Sequence, residues 1–425
     1  MSTVWANTEN EADRKTFRGL GLELQSQRFY GDAAAIKISG EISSENFQLL
    51  NHYSGPVVFD FTLPSAQYSD EKNLNDAGFS FAHVLVLNMR EAEFILKRKI
   101  MTHQSMQEAA HELLILGAKS VFILGEHLQD SSWRHDYWTN GATSFWLTQN
   151  HFSDTEYPEL RSILSAAITA SLALGHLLED ALIIAKMYVH RAVRRAKVGV
   201  YYGGFPENEM DLPYLSSKPM CEIPPSFKRC HRLGLYPVVD RFTWVEMLLN
   251  LGVKTIQLRI KEKTKTLEEE MRRSIALAKK HQATLFINDY WEMALELNAE
   301  AVHLGQSDLD TADIDAIRKQ GLLLGVSTHC YYEVARAHAL NPSYIAIGPI
   351  FPTTSKEMPF TAQGIASLQR WKRTLNYPLV AIGGINIERM PDVVAAGVHG
   401  VALISAITHA KDPQRATEQL LSFID

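Results

Sequence analysis

Short apolar runs recur at regular intervals along the second half of the chain, at residues 234–239, 255–258, 284–287, 301–304, 322–326, 344–347, 379–382 and 400–404. They are rich in Val, Ile and Leu, the pattern of strands buried on both faces. Stretches such as 267–281, 311–319 and 331–340 between them predict helices. Eight βα units in roughly 200 residues predict a (β/α)8 TIM barrel. A doubly wound open sheet is the competing architecture, weakened by the count of eight and by the lack of a G-x-G-x-x-G turn. The first half is also mixed α/β, with strands expected at 33–38, 56–59, 84–87 and 120–124 and helices at 106–116 and 163–174. An open α/β sheet is the default for it. Between the halves, residues 201–229 hold Gly203, Gly204 and the prolines Pro206, Pro213, Pro219, Pro224 and Pro225 with little periodicity, which predicts a linker with turns. The expected division is a domain at 1–200, a linker at 201–229 and a barrel at 230–425.

Composition narrows the function classes. A chain of 425 residues with 46% hydrophobic and 21% charged residues suits two ordinary globular domains. The 42 Lys and Arg against 48 Asp and Glu give a net charge of -6, with no long basic run. This argues against general nucleic-acid binding, and any anionic ligand requires a locally basic site. Cys221, Cys230 and Cys330 form no C-x-x-C pair, so neither a disulfide framework nor a zinc knuckle is indicated. That usage fits a reducing cytoplasm. Residues 1–14 are polar and acidic, without the apolar core of a signal peptide, and no run of about 18 apolar residues predicts a membrane span. The oligomeric state is left open, a homo-oligomer included.

Polar clusters follow the apolar runs of the second half, where a barrel gathers its functional loops. Gln257, Arg259 and Lys261 alternate at a strand end and are expected on one side, toward the barrel axis. Buried unpaired charge is costly, so cations there imply an anionic ligand. Asn288-Asp289 and Asp308 end the next two runs. Each Asp taken alone reads better as a helix N-cap, but two carboxylates at adjacent strand ends also suit one Mg2+ bridging to phosphate. Ser327-Thr328-His329 ends the fifth run. A long loop with Thr353, Thr354, Ser355 and Lys356 follows the sixth, and hydroxyls and a lysine there suit phosphate oxygens. Gly383-Gly384 and Ser405 end runs seven and eight, whose loops often bind phosphate through backbone N–H groups. The pattern predicts a diphosphate–metal site beside a monophosphate site.

Seven ordered motifs carry a resemblance over 233–425: Gln257-Leu258-Arg259-Ile260-Lys261, Phe286-Ile287-Asn288-Asp289-Tyr290, His303-Leu304-Gly305-Gln306 with Asp308, Gly325 to His329, Gly348 to Lys356, Ala381 to Ile385, and Ile404 to Ile407. The region resembles thiamine-phosphate synthase. That family couples 4-amino-2-methyl-5-hydroxymethylpyrimidine diphosphate to hydroxyethylthiazole phosphate and releases diphosphate. The resemblance implies that the whole 257–261 segment lies at the substrates, with Gln257 facing the pyrimidine. It implies that Arg259, Lys261, Asn288, Ser327 and Lys356 hold diphosphate, and that Asp289 and Asp308 bind Mg2+. Thr353, Ser355, Gly384, Ile404 and Ser405 would hold the thiazole phosphate, Thr354 would also lie at the substrates, and Arg259, Ser327 and Lys356 are the expected catalytic groups. Where Ser355 stands the family more often has Thr, which keeps the hydroxyl. The implied mechanism is dissociative, with diphosphate leaving before the thiazole nitrogen attacks.

Residues 11–195 resemble, more faintly, the hydroxymethylpyrimidine (phosphate) kinase family of ribokinase-like fold. The matching segments are Ala12 to Phe17 with Leu20-Gly21, Ala35 to Ile38, Pro56 to Asp60, Asn88 with Glu91-Ala92-Glu93, and Ser165 to Ile168. The family's Gly-Thr-Gly-Cys anion hole aligns with Glu159-Leu160-Arg161-Ser162, and its Lys-Gly-Gly-His segment with Leu124-Gly125-Glu126-His127. Its N-terminal strand with substrate-binding glycines is expected to be missing. The departures imply a degenerate domain without kinase activity. The alternative is a bifunctional enzyme that also phosphorylates hydroxymethylpyrimidine phosphate with ATP.

Overall fold

Nine strands form the sheet of the first of two units in the computed structural model: β1 (Thr3–Ala6), β2 (Glu23–Gln25), β3 (Ala35–Ser39), β4 (Val57–Asp60), β5 (Val84–Asn88), β6 (Val121–Leu124), β7 (Trp133–Thr139), β8 (Ser144–Asn150) and β9 (Tyr214–Ser216). The structure describes residues 2–8, 10–25, 32–40, 48, 50–63, 78–125, 133–150, 157, 159–197, 199–230, 232–353 and 360–424. The strand order is β2-β1-β3-β4-β5-β6-β7-β8-β9. The six strands through β6 run parallel and the last three pair antiparallel.

One sequence expectation changes here, and one pair of strands is added to those expected. A strand does precede the first helix, because Val4, Trp5 and Ala6 are buried in β1, although residues 7–10 that follow it contain no glycine. The hairpin β7–β8 had no clean apolar signal, since β7 carries Arg134, His135 and Asp136. Its polarity is met by tertiary partners: Asp136 pairs with Lys186 at 2.6 Å and accepts the Gly125 N–H at 3.0 Å. Lys186 comes from the helix Leu178–Arg194, so nothing local in the sequence announces the pair.

The stretch expected as a linker carries structure of its own. Residues Glu209–Asp211 form a short 3-10 turn, and β9 adds to the sheet edge beside β8. Asp211 is fully buried against Arg194, with both contacts at 2.7 Å. The two compact units divide between Ile223 and Pro224.

The second unit is a closed barrel of eight parallel strands: β10 (Gly234–Val239), β11 (Thr255–Leu258), β12 (Thr284–Asn288), β13 (Ala301–Leu304), β14 (Leu323–Thr328), β15 (Tyr344–Ile347), β16 (Leu379–Ile382) and β17 (Gly400–Leu403). The circle closes where Gly234 faces Gly400. Alternate residues fill the interior: Tyr236, Val238, Phe286, Ala301, Leu323, Tyr344, Ala346, Val380 and Ala402 form one cluster. Strands β12 and β14 run longer than expected, so Asn288 and Ser327 stand on strands, where the sheet fixes them. Among the described residues no helix is long and apolar enough to cross a membrane.

Candidate active site at the barrel mouth

A cavity of about 460 Å³ opens where the C-terminal strand ends converge. Gln257, Arg259, Asn288, Asp289, Asp308, Ser327, Thr353, Gly384, Ile404 and Ser405 all line it. Three members of the 257–261 segment do not. Leu258 is buried one residue out of phase with Gln257, so it points to the other side of the strand. Strand β11 ends at Leu258, the Arg259 N–H still donates to the Val239 carbonyl at 2.7 Å, and beyond it Lys261 is exposed. Ile260 is half-buried outside the lining. Thr354, Ser355 and Lys356 lie outside the described residues.

The acidic side of the cavity is Asp289 and Asp308. Asp289 adopts a left-handed backbone with φ of 63°, uncommon for a residue with a side chain and tolerated best by Asn and Asp. Asp308 is held by the Gly305 N–H at 2.8 Å. Burial first, then the facing Asp308 carboxylate, push the Asp289 carboxyl above its ordinary range, against the pull of Arg259. Two partly desolvated carboxylates in hydrogen-bonding reach are short of positive charge. Among the described residues no third His, Cys, Asp or Glu completes a protein cage around them. A hard divalent cation that takes oxygens from a phosphate ligand for its remaining positions suits this donor set.

Opposite lies a glycine cradle. Gly384 has φ of 64°, and a Cβ there would come within 2.5 Å of the Pro352 carbonyl oxygen. Only glycine lets the β16 loop lie against the segment that follows β15. The guanidinium of Arg389 closes the turn by donating to the Gly384 carbonyl at 2.5 Å.

Below the cavity a polar thread crosses the barrel interior, and the sequence reading gave it no role. Gln257 Nε2 donates to the Tyr236 hydroxyl at 3.2 Å, and the Tyr236 and Tyr344 hydroxyls are 2.8 Å apart. Tyr344 reaches His303 Nδ1 at 2.6 Å, and His303 Nε2 reaches Ser327 Oγ at 2.7 Å. Burial, with the Arg259 charge adding, pushes the His303 imidazole down to about 3, so it is neutral at neutral pH. Gln306 adds a bond from Nε2 to the Ser327 carbonyl at 2.7 Å. The available signal was period two: His303, like Gln257, is a polar residue at an inward position of an apolar strand.

The thiamine monophosphate synthase family model matches residues 235–407. The phosphomethylpyrimidine kinase family model matches residues 57–206. Thiamine-phosphate synthase of Photorhabdus laumondii is 56% identical over 197 residues, covering 46% of this chain and 91% of the relative. The enzyme of the same name from Pectobacterium atrosepticum is 54% identical over 209 residues, covering 48% and 98%. A thiamine phosphate pyrophosphorylase structure from Pyrococcus furiosus covers 46% of this chain and 96% of its own, with 29% identity and a TM-score of 0.42. The chain belongs to the thiamine-phosphate synthase family of transferases, its synthase barrel preceded by a ribokinase-like domain of the phosphomethylpyrimidine kinase family.

Proposed function

We propose that the barrel joins 4-amino-2-methyl-5-hydroxymethylpyrimidine diphosphate to hydroxyethylthiazole phosphate and releases diphosphate. The observation that carries this reading is the convergence, in one cavity, of Arg259, Asn288 and Ser327 with the Asp289–Asp308 pair and the Gly384 cradle. In the proposed reaction the bond from the pyrimidine methylene carbon to the diphosphate oxygen breaks, and its electron pair leaves with diphosphate. The thiazole nitrogen then bonds to the methylene carbon, giving thiamine phosphate with no proton transferred. Gln257 orients the pyrimidine, while Arg259, Asn288, Ser327 and Lys356 grip the leaving diphosphate. Lys261, exposed beyond the strand end, acts at the rim. Thr353, Thr354, Ser355, Gly384, Ile404 and Ser405 hold the thiazole phosphate, so that the nitrogen waits beside the reacting carbon. Asp289 and Asp308 would hold Mg2+, which when bound would offset the charge gathering on diphosphate.

The same reading makes the first unit a kinase relative without kinase activity. The segment that aligns with the family's anion hole holds Arg161, whose guanidinium contacts Asp60 at 2.6 Å and Glu91 at 2.9 Å. It also donates to the Phe61 and Val86 carbonyls at 2.9 and 2.6 Å. Ser162, at the position of the family's cysteine, donates to Asp13 at 2.7 Å and accepts from Lys37 at 2.9 Å and Asn10 at 2.8 Å. Groups that would greet a transferring phosphate are committed to one another. The test is a single incubation of the full chain with both phosphorylated precursors, Mg2+ and ATP. Thiamine phosphate should form with no ATP consumed, in the presence or absence of hydroxymethylpyrimidine phosphate. No product would end the synthase reading, and ATP turnover would end the reading of the first unit.

A further inference from the structure

The thread from Gln257 to Ser327 has a direction, and the direction follows from counting protons. The Gln257 amide nitrogen can only donate, so Tyr236 accepts from it. Tyr236 is 1% exposed, and among the described residues its only other hydrogen-bonding partner is Tyr344. If Tyr236 donates to Tyr344, then Tyr344 donates to His303 Nδ1, and His303 carries its proton on Nε2 and donates to Ser327 Oγ. Every buried proton then has an acceptor, and the Ser327 hydroxyl keeps its own hydrogen for the cavity that it lines. If the thread ran the other way, Ser327 would donate to His303, His303 to Tyr344, and Tyr344 to Tyr236. The Tyr236 proton would then be stranded in the barrel core, and Ser327 would offer the cavity only lone pairs. An unmet buried donor disfavours the second arrangement by about tenfold or more.

We propose that Tyr344 and His303 are positioning residues of the synthase reaction, which aim the Ser327 hydroxyl hydrogen at an oxygen of the departing diphosphate. This rests on the synthase reading above. No proton leaves Ser327: it donates a hydrogen bond that strengthens as negative charge collects on the leaving oxygen, the kind of interaction that raises kcat rather than affinity. The His303 ring serves by accepting at Nδ1 and donating at Nε2, where Tyr344 and Ser327 meet it at 2.6 and 2.7 Å. Gly325 makes room for the thread, since a side-chain carbon at that position would intrude on the Tyr344 ring.

Two measurements on the full chain test the proposal. Nitrogen-15 NMR of histidine-labelled protein, with the His303 signal assigned by its loss in His303→Gln, should show a fixed Nε2–H tautomer. Tyr344→Phe should release that preference. In steady-state kinetics Tyr344→Phe should lower kcat about tenfold, roughly the worth of one hydrogen bond, with both KM values changed less than about twofold. In a Ser327→Ala background it should lower kcat no further, because the hydroxyl that it aims is gone. An Nδ1–H tautomer overturns the proposal, as does a Tyr344→Phe effect of the same size with and without Ser327. If the wild-type chain makes no thiamine phosphate, the functional reading fails instead, while the tautomer still decides the direction of the thread.

Discussion

Arg259 and Lys261 sit two residues apart in one motif, yet the structure treats them differently. Arg259 lines the cavity beside Asp289, and Lys261 is exposed past the end of β11. A cation inside a walled site acts on developing charge through little water, whereas a rim cation is screened. Arg259→Ala should therefore lower kcat by at least about 100-fold, and Lys261→Ala by less than about tenfold, in the same product-formation assay. Equal losses would mean that the rim closes over the ligand and brings Lys261 inside. The sequence made Gln257, Arg259, Asn288 and Ser327 legible because polar side chains at the ends of apolar runs have little structural excuse, and Asp289 because a second carboxylate, Asp308, ends the next run. It misplaced Lys261 because strand length is set by pairing with neighbours: the last backbone bond from β11 is that of the Arg259 N–H to Val239, and alternation cannot be extended beyond it. It passed over His303 because its partners Tyr344 and Ser327 lie 41 and 24 residues away and meet only across the closed barrel.

At the scale of elements, both units hold strands together with contacts that tolerate little change. On β14, Gly325 gives up side-chain volume to the Tyr344 ring of β15, which is fully buried. Gly325→Ala should destabilise the barrel by about 1–3 kcal/mol through overpacking, read as a lower urea midpoint at unchanged slope. Activity should fall with it, since the displaced ring is part of the thread; an undisturbed midpoint would mean that β15 yields freely. In the first unit, the helix Leu160–Ala173 presents Arg161 to Asp60 at the end of β4 and to Glu91 just past β5. Removing one partner of a buried ion network leaves the others uncompensated, so Arg161→Ala should destabilise that unit by about 3–5 kcal/mol. Synthase activity measured below the new transition should stay unchanged, because every cavity residue belongs to the second unit. The parallel strands β3 to β6 were readable as apolar runs. The β7–β8 hairpin was not, because its buried Asp136 is balanced by Lys186 from a distant helix.

Across the whole molecule, two buried histidines tie the stability of the barrel to pH. His303 and His338 are both pushed down to about 3, mainly by burial, with Arg259 and Arg229 respectively adding repulsion. An unfolded histidine takes up a proton near its ordinary 6.5, while the folded one does not until about 3. Between those values the unfolded state holds more protons, so stability rises with pH. The contribution is complete above about 6.5, declines as pH falls, and is gone below about 3. Each histidine adds a slope of up to about 1.4 kcal/mol per pH unit, or about 2 kcal/mol between pH 6.5 and 5. His338 is the better probe, because it lies outside the cavity and bonds through Nδ1 to the Tyr377 hydroxyl at 2.9 Å. Urea unfolding of the full chain from pH 7 to pH 5 should lower the stability of the barrel transition more steeply in wild type than in His338→Gln. The two slopes should differ by close to one histidine's share. Parallel slopes would mean that His338 already takes a proton in the folded barrel, and that the packing around Tyr377 opens far more readily than its full burial implies.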